Sequence, residues 1–299
     1  MTVAHYLKPI KPGHPLRAGL MPLGTDFGNG EVDGHYFQRD EQAEHYLAEK
    51  RALDSAGQPR RKRYGLLADT DAQRRAHEVV IEWIRATLAR EHPQVIADVD
   101  AMPASTSPYE ALALNVQEDL VVIQRAKTPE ASADGNALDR EAADNDALIM
   151  THVCFPSSWP SDQVLGYSFR RVHGPVPGFA DNPVAAASMV NAMVDRGPYT
   201  RFAWTLAADD QLDHHPTRGS QRPWQRDQPE AWLRLERQVT VPFPEVSASL
   251  FLIRIYRYAL SSLNPDERAR LREAIVRMPE SARRYKQIDK CQEQLMALL

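Results

Sequence analysis

Strand-forming segments gather in the second half of this 299-residue chain, and they constrain its fold more than any other feature. Each is enriched in β-branched or aromatic residues and bounded by proline or polar residues, as strands are. Because helices do not alternate regularly with them, the segments are expected to pair into a mainly antiparallel sheet of an α+β protein. The predicted strands cover residues 148–155, 199–207, 232–241 and 249–258.

Helical periodicity characterises the first half and the C-terminus, where apolar residues recur at a spacing of three or four. One predicted helix contains Glu118 and Asp119, which are therefore expected to be surface or capping acids. Prolines and polar caps set several of the boundaries. The predicted helices cover residues 41–53, 71–91, 108–123, 183–195, 265–276 and 281–298.

We expect the whole chain, residues 1–299, to form one domain, with two smaller domains as the alternative. A helical part extends to about residue 126 behind a proline-rich N-terminal strap. An exposed insertion, rich in Ala, Asp, Asn and Glu, follows at 127–147. The strand-rich core occupies 148–260, and helices at 261–299 close the chain.

Composition excludes several classes of function. The net charge is −4, and Lys and Arg are scattered except for the run at 60–63, which is expected to be a solvated loop, so nothing indicates a nucleic-acid partner. No apolar stretch is long enough for a membrane helix, and the N-terminus does not resemble a signal peptide, which favours a cytoplasmic protein. Cys154 and Cys291 are the only cysteines, too few for a disulfide framework or a cysteine-based zinc or iron-sulfur site.

His173 is the residue best suited to hold a metal or cofactor, because the backbone after it is stiff. In Gly174-Pro175-Val176-Pro177, two prolines fix φ and push the residues before them out of helical geometry. The imidazole should therefore end a helix, for which Ser161 is a candidate N-cap. The alternative is a histidine that only caps helix carbonyls.

Other histidines and a cysteine compete with His173. His152 and Cys154 share one face of a predicted strand and could point at a cofactor, although such residues more often belong to the core. The adjacent His214 and His215 lie in a polar loop and are expected to be exposed to solvent.

Period-two alternation sorts the charged residues of two strands by face. Arg201 shares a face with Ala203 and Thr205, which leaves room for a ligand, whereas Trp204 should pack in the core. In the next strand Arg237 lies among apolar residues and needs a partner, because unpaired burial of a charge is costly. Glu236 lies on the opposite face, where it could pair with Arg234 or hold a substrate ammonium.

Six segments follow one another along the chain: the helix DAQRRAHEVVIEWI, VQEDL at 116–120, CFPSSW at 154–159, the turn at Gly166 with VHGPVPG at 172–178, RFAW at 201–204 and LRLERQ at 233–238. In order and spacing they resemble the haem-dependent oxidative N-demethylase alpha-subunit family over roughly residues 35–260. The resemblance implies b-type haem in a PAS-like antiparallel sheet that N-terminal and C-terminal helices cover.

The resemblance places the iron ligand at His173, with Gly174, Pro175 and Val176 beside the macrocycle. Arg237 could then pair with a haem propionate. Catalytic roles fall to Arg201, as proton donor, and Glu236, as the group that orients the amine.

Two positions depart from the family pattern. Ala203 stands where the family commonly has Asn, on the face of Arg201, so the amine pocket is expected to differ. Val164 stands where the family usually has Lys, which removes a possible propionate contact.

The implied reaction oxidises a methylated amine with dioxygen and releases formaldehyde. Its electrons come from NADPH through a separate flavin and iron-sulfur reductase subunit, and a folate-binding subunit could capture the formaldehyde. One alternative is a haem-binding PAS-like sensor or carrier without turnover. Another is a hydrolase, for which the sequence contains neither a nucleophile elbow nor an HExxH pair.

Overall fold

The computed structural model describes residues 3–10, 19–55, 63–126, 145–179, 182–216, 223–225 and 227–299. Within these residues seven strands form one sheet, in which every neighbouring pair is antiparallel. The strands are β1 (Met21–Pro22), β2 (Tyr64–Leu66), β3 (Asp119–Arg125), β4 (Asp146–His152), β5 (Tyr199–Ala207), β6 (Trp232–Phe243) and β7 (Ala248–Ala259), and their spatial order is β1-β5-β6-β7-β3-β4-β2.

The antiparallel sheet and the α+β class are confirmed, and β5 has the predicted bounds. The single helix predicted at 108–123 is wrong: the helix ends at Ala113, and Asp119–Arg125 is a strand between β7 and β4. Leu120 and Ile123 fit a helical stripe, but β-branched Val121 and Val122 suit a strand that is buried on both faces.

Helices lie before, between and after the long strands. The predicted helices at 183–195 and 265–276 have the observed bounds. The long helix predicted at 281–298 is interrupted, because Gln287 has a left-handed backbone with φ of 56°. The helices are α1 (Ala43–Ser55), α2 (Asp71–Glu91), α3 (Pro93–Asp100), α4 (Pro108–Ala113), α5 (Phe169–Val172), α6 (Pro183–Asp195), α7 (Pro265–Val276), α8 (Glu280–Tyr285) and α9 (Gln292–Leu298).

Different parts of the chain cover the two faces of the sheet. Helices α2 to α4 pack against one face around Leu120, Val122 and Leu250. The N-terminal segment and helices α7 to α9 extend this layer around Trp204 and Leu235. The opposite face, called the front face below, packs against α5 and α6 through an apolar cluster that includes Val121 and against α1 through Ile255 and its neighbours.

Two acids predicted at the surface are buried at the start of β3. Glu118 and Asp119 are 1% and 0% exposed, and burial raises the pKa of both carboxyls. Asp119 Oδ2 accepts a hydrogen bond from the Phe155 amide at 2.8 Å, and Lys50 Nζ lies 3.4 Å from Asp119 Oδ1. The surface prediction is wrong because it followed from the helix assignment, whereas these acids precede a central strand.

The prediction that His214 and His215 face solvent is also wrong, since both side chains are buried. His214 Nε2 lies 2.9 Å from an oxygen of Asp209, and His215 Nε2 lies 2.9 Å from an oxygen of Asp162. Ser157 and His214 form an isolated parallel β-bridge, so the loop that carries the two histidines packs against the CFPSSW segment.

Some predictions concern residues outside the described ranges. The insertion predicted at 127–147 lies outside the described residues except for residues 145–147, which lead into and begin β4. Of the basic run at 60–63, only Arg63 is described; it is largely buried and bonded to Asp213 at 2.8 Å, unlike a solvated side chain. In the described part of the chain, no helix combines the length and apolarity required to span a bilayer.

Candidate functional site

His173 directly follows α5, the four-residue helix on the front face. Ser168 caps this helix by accepting a hydrogen bond from the Arg171 amide at 3.2 Å. The predicted helix start at Ser161 is wrong: residues 161–163 form a separate 3-10 turn, and Gly166, with φ of 80°, redirects the chain before Ser168. The prediction that His173 ends a helix is confirmed.

The imidazole of His173 is held with one nitrogen available. Its Nδ1 lies 2.8 Å from the Phe169 carbonyl oxygen, which can only accept, so Nδ1 carries the proton and the lone pair is on Nε2. Nε2 has no hydrogen-bond partner among the described residues. Burial, opposed by the Phe169 carbonyl and aided by the charge of Arg201, lowers the pKa of His173 to about 4. At neutral pH this imidazole is therefore an uncharged potential metal ligand.

The register of β5 and β6 places Arg201 and Glu236 on the front face. Arg201 pairs with Gln238 across the strands, and Ala203 pairs with Glu236, so the four positions form a square on one face. The predicted alternation along β5 is confirmed, because Phe202, Trp204 and Leu206 belong to the core cluster behind the sheet. The positive charge of Arg201 contributes to the lowered pKa of His173.

Glu236 is fixed by hydrogen bonds to both carboxylate oxygens. Ser157 Oγ donates to Oε1 at 2.5 Å, and Gln238 Nε2 donates to Oε2 at 2.7 Å. The Ser157 hydroxyl in turn accepts from Arg234 Nε at 2.9 Å. The hydrogen-bond chain from Arg234 through Ser157 orients the carboxylate. Of the two predicted roles of Glu236, pairing with Arg234 is indirect, because Ser157 lies between the two side chains. The carboxylate can still attract an ammonium.

Several buried polar atoms near Glu236 have no partner in the described part of the chain. They are Arg201 Nε, Gln238 Oε1 and Thr240 Oγ1, all on the front face of β5 and β6. Burial lowers the pKa of Arg201, and the charge of Glu236 opposes that effect without forming an ion pair with it. Such unpaired groups are rare inside proteins, and a bound ligand would satisfy them.

Two residues of the C-terminal part, Tyr285 and Lys286, have pKa values that the charges of Glu236 and Arg201 affect, and no local sequence pattern indicates this. Lys286 Nζ donates to the Trp204 carbonyl and lies 5.0 Å from the centre of the Trp204 ring. Burial lowers the pKa of Lys286 to about 8, the charge of Glu236 opposes this, and Arg201 adds to it. Burial raises the pKa of Tyr285, and so does the charge of Glu236. Both residues looked like part of an ordinary helix in the sequence.

The structure does not bring every candidate to the site. Arg237 points to the opposite sheet face, as strand alternation requires, and its NH2 donates to the His35 carbonyl at 2.7 Å. Its guanidinium thus binds the N-terminal segment instead of sharing a site with His173.

His152 and Cys154 are also buried elsewhere. The Cys154 sulfur lies 3.7 Å from His152 Nδ1, and burial lowers the pKa of His152 to about 3 while raising that of the Cys154 thiol. Val164 lies in the apolar cluster with Phe169.

The turn after His173 has little freedom. The amide of Val176 donates to the His173 carbonyl at 2.9 Å, and Pro175 is exposed. A Cβ at Gly174 would lie 3.2 Å from the Arg171 carbonyl oxygen, so a side chain there would displace the end of α5. Phe169 and Phe179 flank the imidazole, with ring centres at 4.1 and 5.3 Å.

The hydrogen bond that caps α5, the helix before His173, can be tested by mutation. Replacing Ser168 by Ala removes the acceptor for the Arg171 amide and is expected to lower the free energy of unfolding by about 1 kcal/mol. Ser168→Thr retains a hydroxyl acceptor and should lose less. Urea denaturation of both variants measures the difference, and equal stability of Ser168→Ala and wild type would contradict a capping role.

Among the described residues, the front face of this antiparallel α+β protein thus carries a fixed neutral imidazole and several unpaired polar atoms. The sequence matches the family described as haem-dependent oxidative N-demethylase, alpha subunit-like, over residues 31–296, and the chain belongs to that family. The family's description is that of a haem-dependent oxidative enzyme, and an alpha subunit implies further subunits.

Proposed function

We propose that this protein is a haem-dependent monooxygenase that removes a methyl group from an amine. The observation that carries the proposal is the Nε2 of His173, unpartnered among the described residues, on the same sheet face as Arg201 and the anchored carboxylate of Glu236. Family membership supports haem dependence and oxidation. The amine and the release of formaldehyde belong to the proposal.

The residues present fit a haem b group. His173 supplies a neutral nitrogen whose opposite nitrogen is fixed by a carbonyl, as in protein metal ligands generally. Gly174, Pro175 and Val176 are proposed to lie beside the porphyrin, because they form the turn that continues from the ligand. The unpaired atoms of Arg201 and Gln238 leave polar groups for a bound molecule.

When bound, haem supplies dioxygen activation at the expense of two electrons. In the overall reaction R₂N–CH₃, O₂, two electrons and two protons give R₂N–CH₂OH and water. The carbinolamine then splits into R₂NH and formaldehyde.

Within this reaction Glu236 holds the amine, because its carboxylate is oriented by Ser157 and Gln238 and can attract an ammonium. Arg201 is unsuited to its predicted role as proton donor, because a guanidinium does not release its proton in proteins. Lys286, whose pKa is about 8, can release and regain a proton near neutral pH. We therefore assign proton supply to Lys286 and charge stabilisation to Arg201.

Electrons are proposed to arrive from NADPH through a separate flavin and iron-sulfur reductase subunit, and a folate-binding subunit could take the formaldehyde. The alpha-subunit description supports the existence of such partners without naming them. We propose a cytoplasmic protein whose 299 residues form one domain, since a single sheet joins strands from both halves of the chain.

The lowered pKa of His173 predicts how haem binding depends on pH. Because its pKa in the folded protein is about 4, below the ordinary value of 6.5, the imidazole stays neutral and able to bind iron from pH 7 to about pH 5. Below about pH 4 protonation removes the lone pair and haem should dissociate. Absorption spectra across this range, with circular dichroism to monitor folding, measure the effect. Haem loss centred near pH 6.5 in folded protein would contradict the assigned environment.

An absorption spectrum of haem-supplemented protein and an assay for formaldehyde together test the function. We expect a Soret band at one haem per chain, and formaldehyde that depends on a methylated amine, dioxygen and a reductant. A Soret band without amine-dependent formaldehyde, in the presence of a competent reductase, would instead support a sensor or carrier. Absence of the Soret band would end the proposal.

A further inference from the structure

The most unusual charge at the site is the guanidinium of Arg201. It is half-buried, its Nε is fully buried, and among the described residues it makes neither a hydrogen bond nor an ion pair. The nearby acid, Glu236, is already bonded to Ser157 and Gln238. A guanidinium with unused donors is a geometric match for a carboxylate, which it can bind through two parallel hydrogen bonds.

A second cation adds to this positive charge. Lys286 lies close enough to Arg201 and Glu236 for each to affect its protonation, and it remains mostly protonated at pH 7. With Arg234, which donates to Ser157 beside Glu236, three cations therefore accompany one carboxylate. A simple methylammonium ion would be attracted by Glu236 but repelled by both Arg201 and Lys286.

The spacing of the charged positions suits one small molecule that has both charges. Arg201 pairs directly with Gln238, so Arg201 and Glu236 are diagonal neighbours on the front face. Diagonal neighbours in antiparallel strands are about 7–8 Å apart, within reach of a compact ligand held by two long side chains. Between them, Ala203 offers only a methyl group, and the Oε1 of Gln238 is free to accept a hydrogen bond.

We infer that the amine taken by this site also carries a carboxylate, as an N-methylated α-amino acid does, with the carboxylate bound by Arg201 and the ammonium by Glu236. The inference rests on the proposed function and specifies its substrate class. Ala203, which pairs with Glu236 and has only a methyl side chain, contributes the space that the additional carboxylate requires.

Binding measured by isothermal titration calorimetry on the haem-loaded protein tests the inference without turnover. Three probes share a dimethylamino group: N,N-dimethylglycine has a carboxylate, its methyl ester has that carboxylate masked, and trimethylamine lacks it. We expect N,N-dimethylglycine to bind at least about tenfold more tightly than either of the others, as a charge-assisted pair requires. Arg201→Gln should abolish this preference while changing the affinity for the ester less than threefold. Arg201→Lys, which keeps the charge, should retain part of it.

Arg277→Gln is the matched control, because it removes the same charge from an exposed ion pair with Glu273. It should leave all three affinities unchanged. Equal binding of the three probes to wild type would overturn the inference. So would Arg201→Gln protein that loses haem but keeps its preference for the carboxylate, since Arg201 would then serve a haem propionate.

Formaldehyde release separates this inference from the proposed function. Formaldehyde from trimethylamine together with no preference for N,N-dimethylglycine would leave the function intact and refute the substrate class. Preferential, Arg201-dependent binding of N,N-dimethylglycine without formaldehyde in the presence of a competent reductase would support the ligand class and refute the demethylase reaction.

Discussion

Replacement of His173 by Ala is expected to lower haem affinity at least about 100-fold, because loss of an outer-shell partner alone costs about 10–100-fold in metal affinity. The Nε2 of this imidazole is unpartnered in the described structure, and the ring is held by Phe169 on the Nδ1 side. Removing it takes away the proposed iron ligand, and the hydrogen bond from Nδ1 to the Phe169 carbonyl is the one side-chain hydrogen bond of the described residues that is lost with it. Titration of the purified variant with haemin, followed in the Soret region, measures the loss.

Two further measurements show that this loss is specific. His45→Ala removes an exposed histidine from α1 and should bind haem like wild type. Imidazole added to His173→Ala should restore a Soret band, because it can occupy the space of the missing ring. Wild-type haem affinity in His173→Ala would show that His173 is not the iron ligand. His152 and Cys154 would then be the next candidates.

Glu236→Gln is expected to lower kcat/KM for the methylated amine about 100-fold, since losing one partner of a hydrogen-bonded charge pair costs about 2–5 kcal/mol. Glutamine keeps the size of the side chain and can still accept the Ser157 or Gln238 hydrogen bond, but it cannot balance an ammonium. Haem content should remain that of wild type. Formaldehyde release over a range of amine concentrations measures the change.

Glu273→Gln is the control for this experiment, because it neutralises an exposed glutamate of α7 that is paired with Arg277. Its kcat/KM should equal that of wild type. If Glu236→Gln retained full kcat/KM with normal haem content, Glu236 would be a structural partner of Ser157 and Gln238 and not the group that holds the amine.

The sequence predicted the long strands well because their signals are local. β5, β6 and β7 combine alternation with β-branched and aromatic residues. Period-two counting within each strand separated Arg201 from Trp204 and Glu236 from Arg237. Only the antiparallel pairing of β5 with β6 shows that Arg201 and Glu236 share one face.

The errors arose where tertiary context decides the outcome. The segment from Leu120 to Ile123 satisfies both helical and strand spacing, and only its place in the middle of the sheet makes it a strand. The same helix assignment predicts Glu118 and Asp119 at the surface, whereas both are buried. Lys286 escaped notice because its contact with the Trp204 carbonyl joins residues 82 positions apart, which no local pattern reveals.

The central claim is a bond between His173 and haem iron on the front face of the sheet. A crystal structure of the haem-loaded protein, with data collected at the iron absorption edge, tests it most directly. We expect an anomalous peak within bonding distance of His173 Nε2, with the haem on the same face of the sheet as Arg201 and Glu236. A peak beside His152, Cys154 or any other residue would contradict it.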